Sequence, residues 1–212
     1  MKQRQLCILG STGSIGTSTL DVVRRHPDKF KIMSLSANAS VDVLLAQCKE
    51  FLPQQVVMVS KEHAQLLQQQ LIEHNLADIQ VSSGQEALTV LAQCPKTDTV
   101  MAAIVGASGL LPTLAAVKAG KRVLLANKEA LVTSGAIFID AVRQSGAQLL
   151  PIDSEHNAIF QCLPVNVQQT PGVCQLAESG VTKVLLTGSG GPFLNFTHEM
   201  LADVPPAQAC AH

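Results

Sequence analysis

Two short segments of the 212-residue chain hold residues whose types and spacing suit chemistry. The first is Leu9-Gly10-Ser11-Thr12-Gly13-Ser14-Ile15-Gly16, with a glycine at every third position between an apolar run and a segment of helical period. A strand-to-helix turn of this kind cradles a dinucleotide diphosphate: glycines permit the tight turn and a close approach of backbone to ligand, and the first helical N–H groups meet the anion. Taken alone, the pattern is also that of an ordinary Gly-rich turn. The second segment is Pro151-Ile152-Asp153-Ser154-Glu155-His156-Asn157. In extended backbone Asp153 and Glu155 project to the same side, and paired carboxylates invite a hard divalent cation such as Mg²⁺ or Mn²⁺. The competing reading is a helix start with Ser154 as its N-cap. No third acid is evident downstream among Glu178, Glu199 and Asp203.

Further candidates follow later apolar runs. Asn127-Lys128-Glu129 comes after Arg122–Leu125, and Gly188-Ser189-Gly190-Gly191 is a second loop able to hold an anion through main-chain N–H groups and a hydroxyl. Ser34 to Ser40 contains no acid, where an NAD enzyme usually supplies Asp or Glu to the adenosine ribose. The segment therefore leans toward NADP, with Ser36, Asn38 and Ser40 available to a 2′-phosphate and Ser40 also placed to cap the next helix.

These segments must be positioned by a regular scaffold. Apolar runs predict strands over 5–9, 31–35, 55–59, 79–81, 100–104, 122–125, 148–152 and 183–186. Helical periodicity is predicted for 17–25, 41–51, 61–74, 85–93, 110–119, 128–143 and 156–163. Pro27, Gly120 and Gly146 punctuate helix ends. Strand-helix alternation with right-handed crossovers predicts an α/β, doubly wound Rossmann-type sheet, mostly parallel. A polar lapse from Pro164 to Gly180 suggests a boundary or excursion.

Composition narrows the classes. Apolar residues make up 47% and charged residues 15%, below the usual quarter or so, which favours extensive burial or a homodimer. A net charge of −1 with no Trp and no Tyr argues against nucleic acid. Residues 99–117 are uncharged over a spanning length, but Gly106, Gly109 and Pro112 interrupt them, so we expect no membrane span. The six cysteines lack CxxC spacing and read as reduced, buried thiols of a cytoplasmic protein. The start is too poor in apolar residues for a signal peptide.

The runs LGSTGSIG (9–16), AAIVGASGLLPTLAA (102–116), LLANKEALV (124–132), LLPIDSEHNAIFQCLP (149–164) and LLTGSGGPF (185–193) resemble the 1-deoxy-D-xylulose 5-phosphate reductoisomerases. The resemblance implies conversion of that sugar phosphate, with NADPH and Mg²⁺, Mn²⁺ or Co²⁺, into 2-C-methyl-D-erythritol 4-phosphate. It implies NADPH contacts from Thr12, Gly13, Ser14, Ile15, Asn38, Ala39, Ser40, Asn127 and Glu129. It further implies that Asp153 and Glu155 ligate the metal, and that Lys128, Ser154, Glu155, Ser189 and His212 contact substrate. By the same resemblance, residues 1–150 form the NADPH-binding domain and 151–212 begin an α+β catalytic domain, truncated here and inactive alone. Two alternatives stay open: a semialdehyde dehydrogenase using Cys162 as nucleophile, and a nucleotide-sensing protein without catalysis.

Overall fold

The computed structural model describes residues 3–170 and 175–211. Seven strands, β1 (Arg4–Leu9), β2 (Phe30–Ala37), β3 (Gln55–Met58), β4 (Gln80–Ser83), β5 (Thr99–Ala102), β6 (Arg122–Leu125) and β7 (Gln148–Pro151), form one sheet in the order β4-β3-β2-β1-β5-β6-β7. Every pairing is parallel. The chain builds outward from β1 to β4, then returns to β5 on the other side of β1. That reversal is the topological switch point at which sheets of this class bind ligands.

Successive residues of a strand face opposite sides, and the core divides accordingly. Leu6 and Ile8 of β1 join one buried cluster, with Leu20, Leu44 and Leu67 from α1 (Ser14–Arg25), α2 (Val41–Phe51) and α3 (Lys61–Glu73). Cys7 and Leu9 join the other. There they meet Leu88, Val117 and Phe138 from α4 (Gln85–Ala92), α5 (Leu110–Lys118) and α6 (Lys128–Ser145). This two-sided burial is why the strands read as continuous apolar runs rather than alternating ones.

The helix-end signals hold: Gly120 and Gly146 adopt positive φ after α5 and α6. Residues 99–117 divide into β5, a loop, a 3₁₀ turn (Ala107–Gly109) and most of α5. Among the described residues no helix is long and apolar enough to cross a membrane. Helix α1 starts at Ser14 rather than at residue 17, directly on the glycine turn.

Two expectations need correction, the last strand and the burial of the cysteines. Lys183–Leu186 is not a strand: it has no regular structure, and Leu185 and Leu186 are about 70% exposed. A strand needs a ladder partner, and β7 pairs only with β6 among the described residues. The polar lapse holds a short helix, α8 (Val165–Gln169), and a 3₁₀ turn. The cysteines are not uniformly buried, since Cys162 and Cys210 are exposed, while Cys174 lies outside the described residues.

Burial pushes the thiols of Cys7 and Cys48 up to about 12. Because the thiolate is the reactive form, Ellman's reagent at pH 8 should modify Cys162 and Cys210 promptly. Cys7 and Cys48 should react only on unfolding. Prompt labelling of Cys48 in the folded protein would contradict this core.

Candidate active site

The glycine turn sits where β1 ends at the switch point. Gly10 has φ +82°, and a Cβ there would lie 2.9 Å from the carbonyl oxygen of Ala103 on the neighbouring β5 loop. Gly16 is more constrained, because its Cβ would come 2.4 Å from the Gly10 carbonyl oxygen. Gly13 is different. Its φ of −78° suits any residue, and a Cβ would meet only Gly10 O at 3.6 Å. Neither fold nor strain demands glycine at this N-cap of α1, where no side chain caps the helix. The open space lies where a helix N-terminus attracts an anion.

A groove of about 300 Å³ runs from this turn across the switch point, lined by Gly10, Thr12, Gly13, Asn38, Ile104 and Val105 among others. Ser14 and Ile15 are exposed on the first turn of α1, while Asn38, Ala39 and Ser40 are exposed beyond β2. Ser36 also lines this groove; it is buried, and its hydroxyl accepts the Gly10 N–H at 3.0 Å. Ser40 stands at the N-cap of α2, but its side chain makes no capping bond.

Asn127 joins this groove to the next strand end. Its Oδ1 caps α6 by accepting the Ala130 N–H at 3.2 Å, and its Nδ2 donates to the carbonyls of Ile104 and Gly106 at 2.7 and 2.8 Å. Buried at 3% exposure, the amide thus uses both donor hydrogens on the β5 loop. A side chain so engaged positions the groove wall rather than reaching out to a ligand. Gly109 makes room for it, because a Cβ there would lie 2.5 Å from Nδ2. Lys128 and Glu129 follow, both exposed.

The acid pair lies one strand further along the same edge, and its local conformation differs from expectation. Only Asp153 is extended (φ −61°, ψ 151°); α7 (Ser154–Cys162) begins at once, so Glu155 projects from its first helical turn rather than alternating along a strand. The N-cap is Asp153, not Ser154: its Oδ1 accepts from His156 N–H at 3.1 Å and contacts His156 Nδ1 at 2.6 Å. Desolvation raises the Asp153 pKa, but these bonds and the charges of His156 and Lys128 outweigh it and hold the carboxyl below its usual range. Asp153 therefore stays ionised at neutral pH. Ser154 Oγ donates to Glu155 Oε2 at 3.0 Å. Lys128, Asp153 and His156 share the rim of a second cavity of about 300 Å³, floored by apolar residues including Leu131, Ile159 and Phe160.

Two hard carboxylates suit an oxygen-seeking divalent cation, but they are a partial set. Among the described residues no group of three His, Cys, Asp or Glu side chains could hold a metal. Ser189 is not brought in: it lies in an exposed irregular segment, where its hydroxyl accepts Gly191 N–H at 3.2 Å. The nearby Thr187 does share a cavity wall with Glu155 and Cys162. His212 lies outside the described residues. Sequence reasoning missed the groove wall Ala103–Val105 and the His156 partner of Asp153. The signals were Gly106 and Gly109 after β5, and a side chain three residues beyond an N-cap.

Comparisons with known proteins point to one family. A family model described as 1-deoxy-D-xylulose 5-phosphate reductoisomerase matches residues 6–135, and one for the C-terminal domain of the same family matches residues 149–212. The reductoisomerase of Colwellia psychrerythraea is 67% identical over all of this chain, which covers 52% of that relative; that of Shewanella sp. strain MR-7 is 58% identical over 99%, again covering 52%. A solved structure described as DOX-P reductoisomerase with NADPH, fosmidomycin and magnesium is 44% identical with a TM-score of 0.85, over 97% of this chain and 50% of that one. The Zymomonas mobilis reductoisomerase in complex with NADPH is 39% identical with a TM-score of 0.84, over all of this chain and 52% of its own. The chain thus spans about half the length of the curated relatives it matches. With a family model covering residues 6–135 and a sheet whose strand ends carry the glycine turn and the acidic N-cap, the chain belongs to the 1-deoxy-D-xylulose 5-phosphate reductoisomerase family.

Proposed function

We propose that this chain is the NADPH-binding part, with the beginning of the catalytic part, of an enzyme that converts 1-deoxy-D-xylulose 5-phosphate to 2-C-methyl-D-erythritol 4-phosphate. The observation that carries the reading is the seat at Gly13, a position left open by the protein at a helix N-terminus on the switch point. Residues 1–150 hold the cofactor in this reading, and 151–212 open the catalytic domain; the separate family matches to 6–135 and 149–212 support that division. When bound, NADPH supplies hydride and the divalent metal supplies Lewis-acid polarisation of substrate oxygens.

The chain's own residues have distinct tasks. Main-chain groups of Thr12 to Ile15 receive the diphosphate, and the acid-free end of β2 at Asn38–Ser40 admits a 2′-phosphate. Asn127 holds the wall beside the nicotinamide, with Glu129 next to it. Asp153, kept ionised by His156 and Lys128, and Glu155 would hold the metal, Mg²⁺ or Mn²⁺ with Co²⁺ as a substitute. The Lys128 ammonium binds the anionic substrate beside Ser154, with Ser189 and His212 as further contacts. Cys162 is exposed and does not line the cofactor groove, which disfavours a dehydrogenase using it as nucleophile. The low charged content of 15% beside 47% apolar residues supports a homodimer. The free thiols among the described cysteines support a cytoplasmic location.

Replacing Gly13 by Ala should leave the melting temperature nearly unchanged while weakening NADPH binding about tenfold or more, as expected when a Cβ intrudes on charge-assisted hydrogen bonds. Calorimetry on the parent and variant checks this, and equal affinities would remove the Gly13 seat. The parent should also bind NADPH more tightly than NADH, yet show negligible turnover. A polypeptide completed to the relatives' length should oxidise NADPH only when sugar phosphate and divalent metal are both present. Turnover that survives exhaustive chelation would contradict the roles given to Asp153 and Glu155.

A further inference from the structure

Beneath the glycine turn lies a polar cluster that the glycine pattern does not require. Ser11, Ser36 and Gln47 are 0%, 1% and 7% exposed. Ser11 donates its N–H to the Ser36 carbonyl at 2.8 Å, and its hydroxyl lies 2.7 Å from Gln47 Oε1 and 3.2 Å from that same carbonyl. Gln47 Nε2 donates back to the Ser11 carbonyl at 3.0 Å, and Ser36 Oγ accepts the Gly10 N–H at 3.0 Å. The inward face of α2 is otherwise apolar, with Val41, Leu44, Leu45 and Cys48 in the core. A buried amide there costs free energy unless its bonds are made, and its bonds go to the turn.

We propose that Gln47 is a positioning residue for the dinucleotide. With Ser11 and Ser36 it fixes the peptide groups at the head of the glycine turn before cofactor arrives, and it ties that turn to the end of β2, from which Asn38–Ser40 extend. The inference rests on the cofactor reading above and adds to it a residue on a different helix, outside the glycine motif. Preorganisation of this kind strengthens binding by lowering the ordering cost on association. A residue needed only for folding would change stability and leave affinity alone while the protein remains folded.

The test compares Gln47→Met, close in volume but without the amide, with Leu67→Ala, a core truncation on α3 remote from the turn. Dissociation constants for NADPH and NADH are measured at a temperature where circular dichroism shows every variant folded. Gln47→Met should weaken both nucleotides by about tenfold, the loss of one to two net hydrogen bonds, while Leu67→Ala melts lower but binds as the parent does. Ser11→Ala, which removes only the hydroxyl, gives a second readout should Gln47→Met fail to fold. It should weaken binding severalfold, and where Gln47→Met folds, the double variant should lose less than the product of the two. Parental affinity in both single variants, or an equal loss in Leu67→Ala, would overturn the proposal. A parent that binds neither nucleotide would instead overturn the cofactor reading beneath it.

Discussion

The structure depends on the common register of parallel strands. Leu9 pairs with Ala102, Ala102 with Leu125, and Leu125 with Pro151, so the chain leaves four neighbouring strands at the same level. Gly10, Ala103, Ala126 and Ile152 are therefore the first residues beyond one edge. Parallel pairing imposes this, because each crossover helix returns the chain to the opposite edge before the next strand begins. Residues far apart in sequence, such as Thr12 and Asp153, thereby lie beyond strand ends on the same edge of the sheet.

Loops at that edge must still be held in shape, and the protein does so with buried polar side chains. Asn127 bonds two carbonyls of the β5 loop and caps α6, while Gln47 and Ser36 bond the turn after β1. Each group satisfies main chain that no ladder or helix would satisfy. The charge pattern follows the same edge: α1 begins at Gly13 with no side-chain cap, and Asp153 at the head of α7 is held ionised close to Glu155. A helix N-terminus open to anions and a carboxylate pair thus stand along a single row of strand ends.

Much of this was legible in the sequence. Strands buried on both faces announce themselves as unbroken apolar runs, and all seven sheet strands were located in that way. Glycines at helix ends, and Gly10 and Gly16 of the first turn, marked their positions because backbone conformation or close approach leaves no substitute. What escaped was decided by tertiary context. Lys183–Leu186 has strand composition, yet no neighbour among the described residues offers it a ladder. The geometry of Asp153 and Glu155 turned on where α7 begins, a choice between two adjacent capping residues, Asp153 and Ser154, that local preference ranks almost equally. Gln47 looked like any polar residue of a helix, because only the packed structure shows it facing inward.

The central claim is that the cofactor groove and the acidic N-cap open on one crevice, with the nicotinamide end toward Asp153 and the adenine end toward Asn38. Paramagnetic relaxation tests it: Mn²⁺ is titrated into the NADP⁺-bound chain while the cofactor's proton resonances are followed. Nicotinamide protons should broaden well before adenine protons, and Asp153→Asn should abolish the difference. Adenine protons broadening first, or a nicotinamide effect indifferent to Asp153→Asn, would contradict the account.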